Sequence, residues 1–231
     1  MILLNQGERP WWWLSSCKNH QVGNLIVFLA GAGQASSAWN EQVRRLPEYQ
    51  SLALAATDLT EGPFSMDAAV EGLQRQILET GAESVTLIGL SLGGMIATRY
   101  AATHPEMLAG LLLSGSQIRP NPTLMSIQRG IMRLIPARML PLPQGLDKPA
   151  FLQLLDAAGH TDLSDDLSGI EAPTLVLCGT KDRANLGAAK QLARQIPEAE
   201  LRLITGGGHE LATDAPDEFA DAVSTLLNRQ E

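Results

Sequence analysis

Apolar and polar positions along this chain fall into blocks of two kinds. Residues 25–30 (LIVFLA), 51–56 (SLALAA), 84–89 (SVTLIG), 108–114, 174–178 and 200–204 are short apolar runs bounded by turn-forming residues, and they predict six buried strands. Between them lie segments with helical periodicity at residues 37–46, about 66–80, 92–103, about 184–195 and about 216–228. The helix that starts at Leu92 must end before Pro105, because proline disfavours helical geometry in the residue before it. Pro216 suits a first helical turn, and Asp217 and Glu218 suit its positive end. Strands that are apolar on both faces and alternate with helices predict a mostly parallel sheet, covered on both sides through right-handed crossovers. The first ~20 residues fit a leading hairpin, in which Trp11, Trp12 and Trp13 pack on an edge strand in preference to forming a ligand platform.

One stretch breaks this rhythm. Residues 116–168 hold no convincing strand but carry helical patterns at 123–135 and 150–158, with Pro136, Pro141, Pro143 and Pro149 between them. We read the chain as one domain over 1–231 with a small helical cap inserted at about 116–168. An insertion over the carboxyl edge of a parallel sheet is usually functional.

Composition narrows the classes. With 45% hydrophobic residues the chain is built to bury a core. A net charge of −8 argues against nucleic acid as the main partner, because phosphate binding needs a basic surface. Two cysteines, Cys17 and Cys178, make no disulfide framework; Cys178 reads as a buried thiol, and a cytoplasmic, reducing location fits. No secretory leader is visible, and the long apolar stretch over 85–102 is interrupted by Ser91, Gly93, Gly94 and Arg99, so strand followed by helix explains it better than a membrane span.

The sharpest chemical signal is Gly89-Leu90-Ser91-Leu92-Gly93, set between a strand and a helix. A serine on so tight a turn needs small residues two places to either side, where side chains would collide with the neighbouring strand and helix. Its hydroxyl then needs a base. Of four histidines, His20 precedes the first parallel strand, His104 sits at a helix end as a capping or packing residue, and His160 lies in the insertion. His209 follows a strand through Gly206, Gly207 and Gly208 and is the candidate base. Asp182, just past the strand at 174–178, is the candidate orienting acid, with helix capping as its bland alternative. Residues 115–121 offer no rival carboxylate, and Asp58 and Asp214 read as loop or cap residues. An oxyanion would need backbone N–H donors, for which Leu92 and Ala32 are the candidates.

These residues resemble the α/β-hydrolase superfamily, in particular its small esterase, lactonase and C–C-bond hydrolase branch. The resemblance runs from about Leu25 to Asn228. Phe28-Leu29-Ala30-Gly31-Ala32-Gly33 with Trp39 is similar to the family's L-H-G-x-G loop, and His104-Pro105-Glu106 to its H-P-E. Gly179-Thr180-Lys181-Asp182 and Gly207-Gly208-His209 resemble its acid and histidine loops. The implied fold has about eight strands with the cap on top. Ala30 replaces the family's usual histidine, so that loop must be anchored differently. After Asp58 the chain reads Leu-Thr-Glu-Gly-Pro-Phe in place of the usual R-G-x-G-x-S.

The cap carries Arg119, Arg129, Arg133 and Arg138 over 117–140 with no acidic residue among them. Arg129 and Arg133 share a helix face. Turned inward, that face would bind a carboxylate or phosphate of the substrate; turned outward, the preferred orientation, it is a solvated surface. Leu124, Ile127, Ile131, Met132, Leu134 and Ile135 supply apolar area for packing on the sheet or lining a pocket. The expected activity is hydrolysis of a small carboxylic ester through an acyl-serine. The alternatives are a lactonase, C–C hydrolase or lyase acting on a carboxylated metabolite, and a non-catalytic ligand receptor. No metal cluster or phosphate loop is visible, and Ser36 stands where a dinucleotide fingerprint needs its third glycine, so no cofactor is implied and the expected partner is a small-molecule substrate.

Overall fold

A computed structural model describes residues 24–121, 126, 130–140, 142 and 145–230. Among the described residues six strands form one sheet: β1 (Asn24–Leu29), β2 (Gln50–Leu54), β3 (Ser84–Leu90), β4 (Leu108–Ser114), β5 (Thr174–Gly179) and β6 (Ala199–Ile204). Their order is β2-β1-β3-β4-β5-β6, and every neighbouring pair is parallel. The resemblance implied about eight strands and the sheet described here has six; the leading hairpin, with its tryptophans, Cys17 and His20, lies outside the described residues.

The helices are α1 (Asn40–Arg44), α2 (Met66–Thr80), α3 (Leu92–Thr103), α4 (Lys148–Gly159), α5 (Leu186–Gln195), α6 (Leu211–Asp214) and α7 (Pro216–Leu227). Alternation along a strand sends successive side chains to opposite faces. In β1, Leu25, Val27 and Leu29 join α2, α3 and α5 in one core, while Ile26 and Phe28 join α7 in the other. Trp39 anchors that second core, with its ring 5.2 Å from Phe28 and 5.7 Å from Phe219. Tilted aromatic contacts of this kind add about 0.5–1.5 kcal/mol each beyond area burial. Helix ends follow their residues. The Ser65 hydroxyl accepts from Ala68 N–H and Gly81 closes α2 at φ 75°, where a left-handed conformation suits glycine. Asp147 accepts from Ala150 N–H at the start of α4.

Two sequence expectations need correction. The helix expected from 37 to 46 is a 3-10 turn, Ser36–Trp39, followed by the short α1. The helix expected from 184 starts at Leu186, because residues 182–185 form a turn with Asn185 N–H bonded to the Asp182 carbonyl. In the insertion, α4 docks Phe151, Leu154, Leu155 and Ala158 into the first core. Residues 130–134 are helical, but Ile131 and Leu134, expected to pack inward, stand 53% and 85% exposed.

Candidate active site

Sheet order sets the site. The carboxyl ends of β3, β4, β5 and β6 lie in a row, and the loops leaving them carry Ser91, Gly115, Asp182 and His209. Ligands bind at this edge of open parallel sheets.

Ser91 follows β3 with φ 54° and ψ −115°, and it is the only non-glycine with positive φ among the described residues. Such a conformation costs about 1–3 kcal/mol and persists only where its surroundings enforce it. The glycines show how they do. A Cβ at Gly89 would lie 2.5 Å from Gly94 Cα, and one at Gly93 would lie 2.2 Å from the Leu29 carbonyl oxygen. Glycine thus lets α3 start against β3 and pass close over β1. Ser91 N–H bonds the Ser114 carbonyl at 2.9 Å, which pins the turn to the end of β4. Leu92 is the first residue of α3, so its N–H has no partner within the helix.

The acid and histidine loops are locked together by backbone. Thr180 N–H bonds the Ile204 carbonyl at 3.0 Å, Lys181 N–H bonds the Gly207 carbonyl at 2.9 Å, and Gly206 N–H donates to Thr180 Oγ1 at 2.9 Å. At Gly179 a Cβ would stand 2.3 Å from both the Gly207 and Gly208 carbonyl oxygens. Asp214, read from sequence as a cap, accepts from Gly208 N–H at 3.0 Å and so steadies the residue before His209. The loops bring His209 Nδ1 within 2.7 Å of Asp182 Oδ2. A carboxylate only accepts hydrogen bonds, so Nδ1 donates to Asp182, and in a neutral ring with Nδ1 as the donor the lone pair lies on Nε2. The His209 ring lies against Gly115, where a Cβ would be 2.8 Å from Nδ1 and from Cε1. Ser91 and His209 therefore adjoin consecutive residues, Ser114 and Gly115.

Sequence reasoning missed the polar support under Asp182. The carboxylate is 7% exposed and Asn185 Nδ2 donates to both its oxygens, at 2.9 and 2.8 Å. Asn185 Oδ1 in turn accepts from Gln117 Nε2 at 2.6 Å. Gln117 lies in the loop after β4, the stretch without a carboxylate, and it contributes an amide there. A buried carboxylate is tolerated only when its oxygens are bonded, and this chain of amides does that.

The loop after β1 replaces the missing histidine with Gln34. Its Oε1 accepts from Gly31 N–H at 2.9 Å, and Gln34 N–H returns a bond to the Gly31 carbonyl at 3.1 Å. Gly33 takes φ 74°, and a Cβ there would meet the Phe151 ring at 2.7 Å. Loop and α4 thus border a cleft of about 470 Å³, lined by Ala32, Gly33, Met132, Leu142, Phe151 and Glu210 among others. Arg133 is exposed and is not among the residues lining the cleft; Arg129 lies outside the described residues. Arg119 is ion-paired with Asp162, whose carboxyl is pulled down to about 2, first by bonding from Ser164 and then by Arg119. Of the other histidines, His104 stacks on Tyr100 at 4.6 Å and His160 Nδ1 bonds the Asp156 carbonyl at 2.7 Å, so both serve local structure. Asp58 accepts from Ala55 N–H at 2.7 Å as a turn residue.

The all-parallel sheet with helices on both faces is the fold of the α/β-hydrolase class. The alpha/beta hydrolase family model matches residues 26–222, and the chain belongs to that family. It is 26% identical over 89% of its length to polyketide synthase ThaQ of Burkholderia thailandensis, of which it spans only 12%. It is 23% identical to the pimeloyl-acyl-carrier-protein methyl ester esterase of Vibrio vulnificus, covering 90% of this chain and 95% of that one. Among solved structures, the enol-lactonase of Burkholderia xenovorans superposes with a TM-score of 0.78 at 19% identity, over 91% of this chain and 94% of that one. Among the described residues no helix is long and apolar enough to cross a membrane.

Proposed function

We propose that this chain is a serine esterase that cleaves a small carboxylic ester through an acyl-serine. The reading rests most on one observation: a buried, doubly bonded Asp182 carboxylate 2.7 Å from His209 Nδ1, with the ring on Gly115 beside the strained Ser91 turn. His209 Nε2 takes the Ser91 proton as Oγ attacks the ester carbonyl, and Asp182 stabilises the imidazolium. Leu92 N–H at the start of α3 and Ala32 N–H stabilise the oxyanion. Gln34 Oε1 occupies the Gly31 N–H, which leaves Ala32 as the next donor along that loop. The imidazolium then protonates the departing alkoxide. Water, activated by the same nitrogen, releases the acid and restores Ser91. The match to an esterase over nearly full length agrees with this chemistry. The exposure of Arg133 away from the cleft lends no support to its binding a substrate carboxylate.

Hydrolysis of p-nitrophenyl butyrate by the wild type, with a pre-steady-state burst of nitrophenolate, is the expected result. Ser91→Ala abolishes it. Equal turnover by the Ser91→Ala variant, or a burst that survives it, contradicts the reading.

A further inference from the structure

The cleft beside the loop after β1 carries information about charge. Its described lining is apolar or uncharged but for Glu210, which is exposed and directly follows His209. Glu210 forms no ion pair with a described residue. Of the described cations on the insertion, Arg133 and Arg138 are exposed and neither lines the cleft, while Lys148 and Arg119 are turned to other uses. Lys148 Nζ donates to the carbonyl oxygens of Arg133 and Ile135, at 2.7 and 2.6 Å, and Arg119 is held by Asp162. Phe151, Met132 and Leu142 contribute large apolar side chains to the lining.

Resting on the esterase reading, we infer that the substrate portion seated in this cleft is apolar and uncharged, and that Glu210 selects against esters carrying a carboxylate there. A second anion in this cleft beside an unpaired carboxylate is repelled, and no described lining residue compensates it. The expectation runs opposite to a carboxylated metabolite as substrate.

The test compares three aryl esters: phenyl butyrate, its analogue with a carboxylate at the end of the acyl chain, and 4-carboxyphenyl butyrate. The two charged probes place the anion on either side of the scissile bond, so the result does not depend on which side fills the cleft. At least one charged probe falls about tenfold below the neutral ester in kcat/KM. In Glu210→Gln that ratio shrinks at least roughly threefold, and high salt shrinks it in the wild type. Because the readout is a ratio within each protein, a general loss of activity in the variant cancels. Equal turnover of all three esters, or a deficit that Glu210→Gln leaves unchanged, overturns the inference. Ser91-dependent labelling by a fluorophosphonate without turnover of any ester also overturns it and leaves the activated serine standing. Failure of labelling and of turnover together removes both.

Discussion

Two sides of the same sheet edge are built differently. On one side, the loops after β5 and β6 are tied to each other chiefly by backbone, through Thr180 and Lys181 N–H and with Gly179 packed under two carbonyl oxygens, before side-chain amides support Asp182. On the other, the loop after β1 and helix α4 border the cleft through side chains: Gln34 on Gly31, and the Phe151 ring on Gly33. Backbone contacts cannot adjust by changing rotamers, whereas side-chain contacts can. The difference separates a side suited to fixing proton-transfer geometry from a side suited to fitting a substrate, and it can be broken from either end.

The largest effect is expected at Gly179. Gly179→Ala drives a methyl group into two carbonyl oxygens, which must part for it to fit. Chemical denaturation should show a loss of about 2–4 kcal/mol, and kcat should fall by roughly two orders of magnitude or more. Gly206→Ala is the control: its φ of 80° is strained, but a Cβ there meets nothing, so a loss of only about 1–2 kcal/mol is expected. Equal effects at the two positions would mean that the loops are not locked as described.

Next in size is Asn185→Ala, which strips a donor from both oxygens of the buried carboxylate. Hydrogen bonds to charged groups are worth about 1.5–3 kcal/mol, so kcat should fall roughly 10- to 100-fold with KM little changed. Gln117→Ala acts one bond further away and should cost less. Steady-state kinetics on a neutral ester separates these outcomes from a loss carried by KM, which would place Asn185 with the substrate.

A smaller effect is expected at Gly33. Gly33→Ala carries left-handed strain like Gly206→Ala, but its only clash is with the Phe151 ring, a side chain, and it should raise KM by roughly severalfold. Adding Phe151→Ala should restore part of that loss, although it costs core packing of about 3 kcal/mol. No side-chain substitution could rescue Gly179→Ala in this way, because the clash there is with backbone. A Gly33→Ala defect that Phe151→Ala does nothing to relieve would erase the contrast between the two sides.

The mildest probe is Cys178, buried in β5 beneath the acid loop, with Sγ 3.9 Å from the Asp182 carbonyl. Burial, and secondarily the charge of Asp182, push its thiol from an ordinary value of 9.0 up to about 11. The folded state holds this proton more tightly than the unfolded one, so the stability it contributes is present below pH 9 and is lost as pH rises through about 11. In a Cys17→Ser background, a thiol reagent at pH 8 should leave Cys178 unmodified until denaturant is added. Rapid modification of the native protein would show that this side opens readily.

Sequence alone supplied all six strands to within two residues at either end, because each is a continuous apolar run between turn residues. The Ser91 turn was legible because its glycines answer to local sterics. Asn185 and Gln117 were not. They lie 68 positions apart and meet only because β4 and β5 are neighbours, and an asparagine near a helix start looks like an ordinary cap. Gln34 was hidden for a related reason: the lost histidine at Ala30 signalled a changed anchor but not its replacement. The apolar stripe at 131–134 misled, because periodicity marks a shared face without saying whether a partner covers it.

Labelling with a fluorophosphonate probe tests the central claim most directly, since it asks for an activated serine before any substrate is chosen. Wild type should react at Ser91, Ser91→Ala should not react, and His209→Ala should react roughly a thousandfold more slowly. Labelling at a different serine, or undiminished labelling of the His209→Ala variant, would contradict the account.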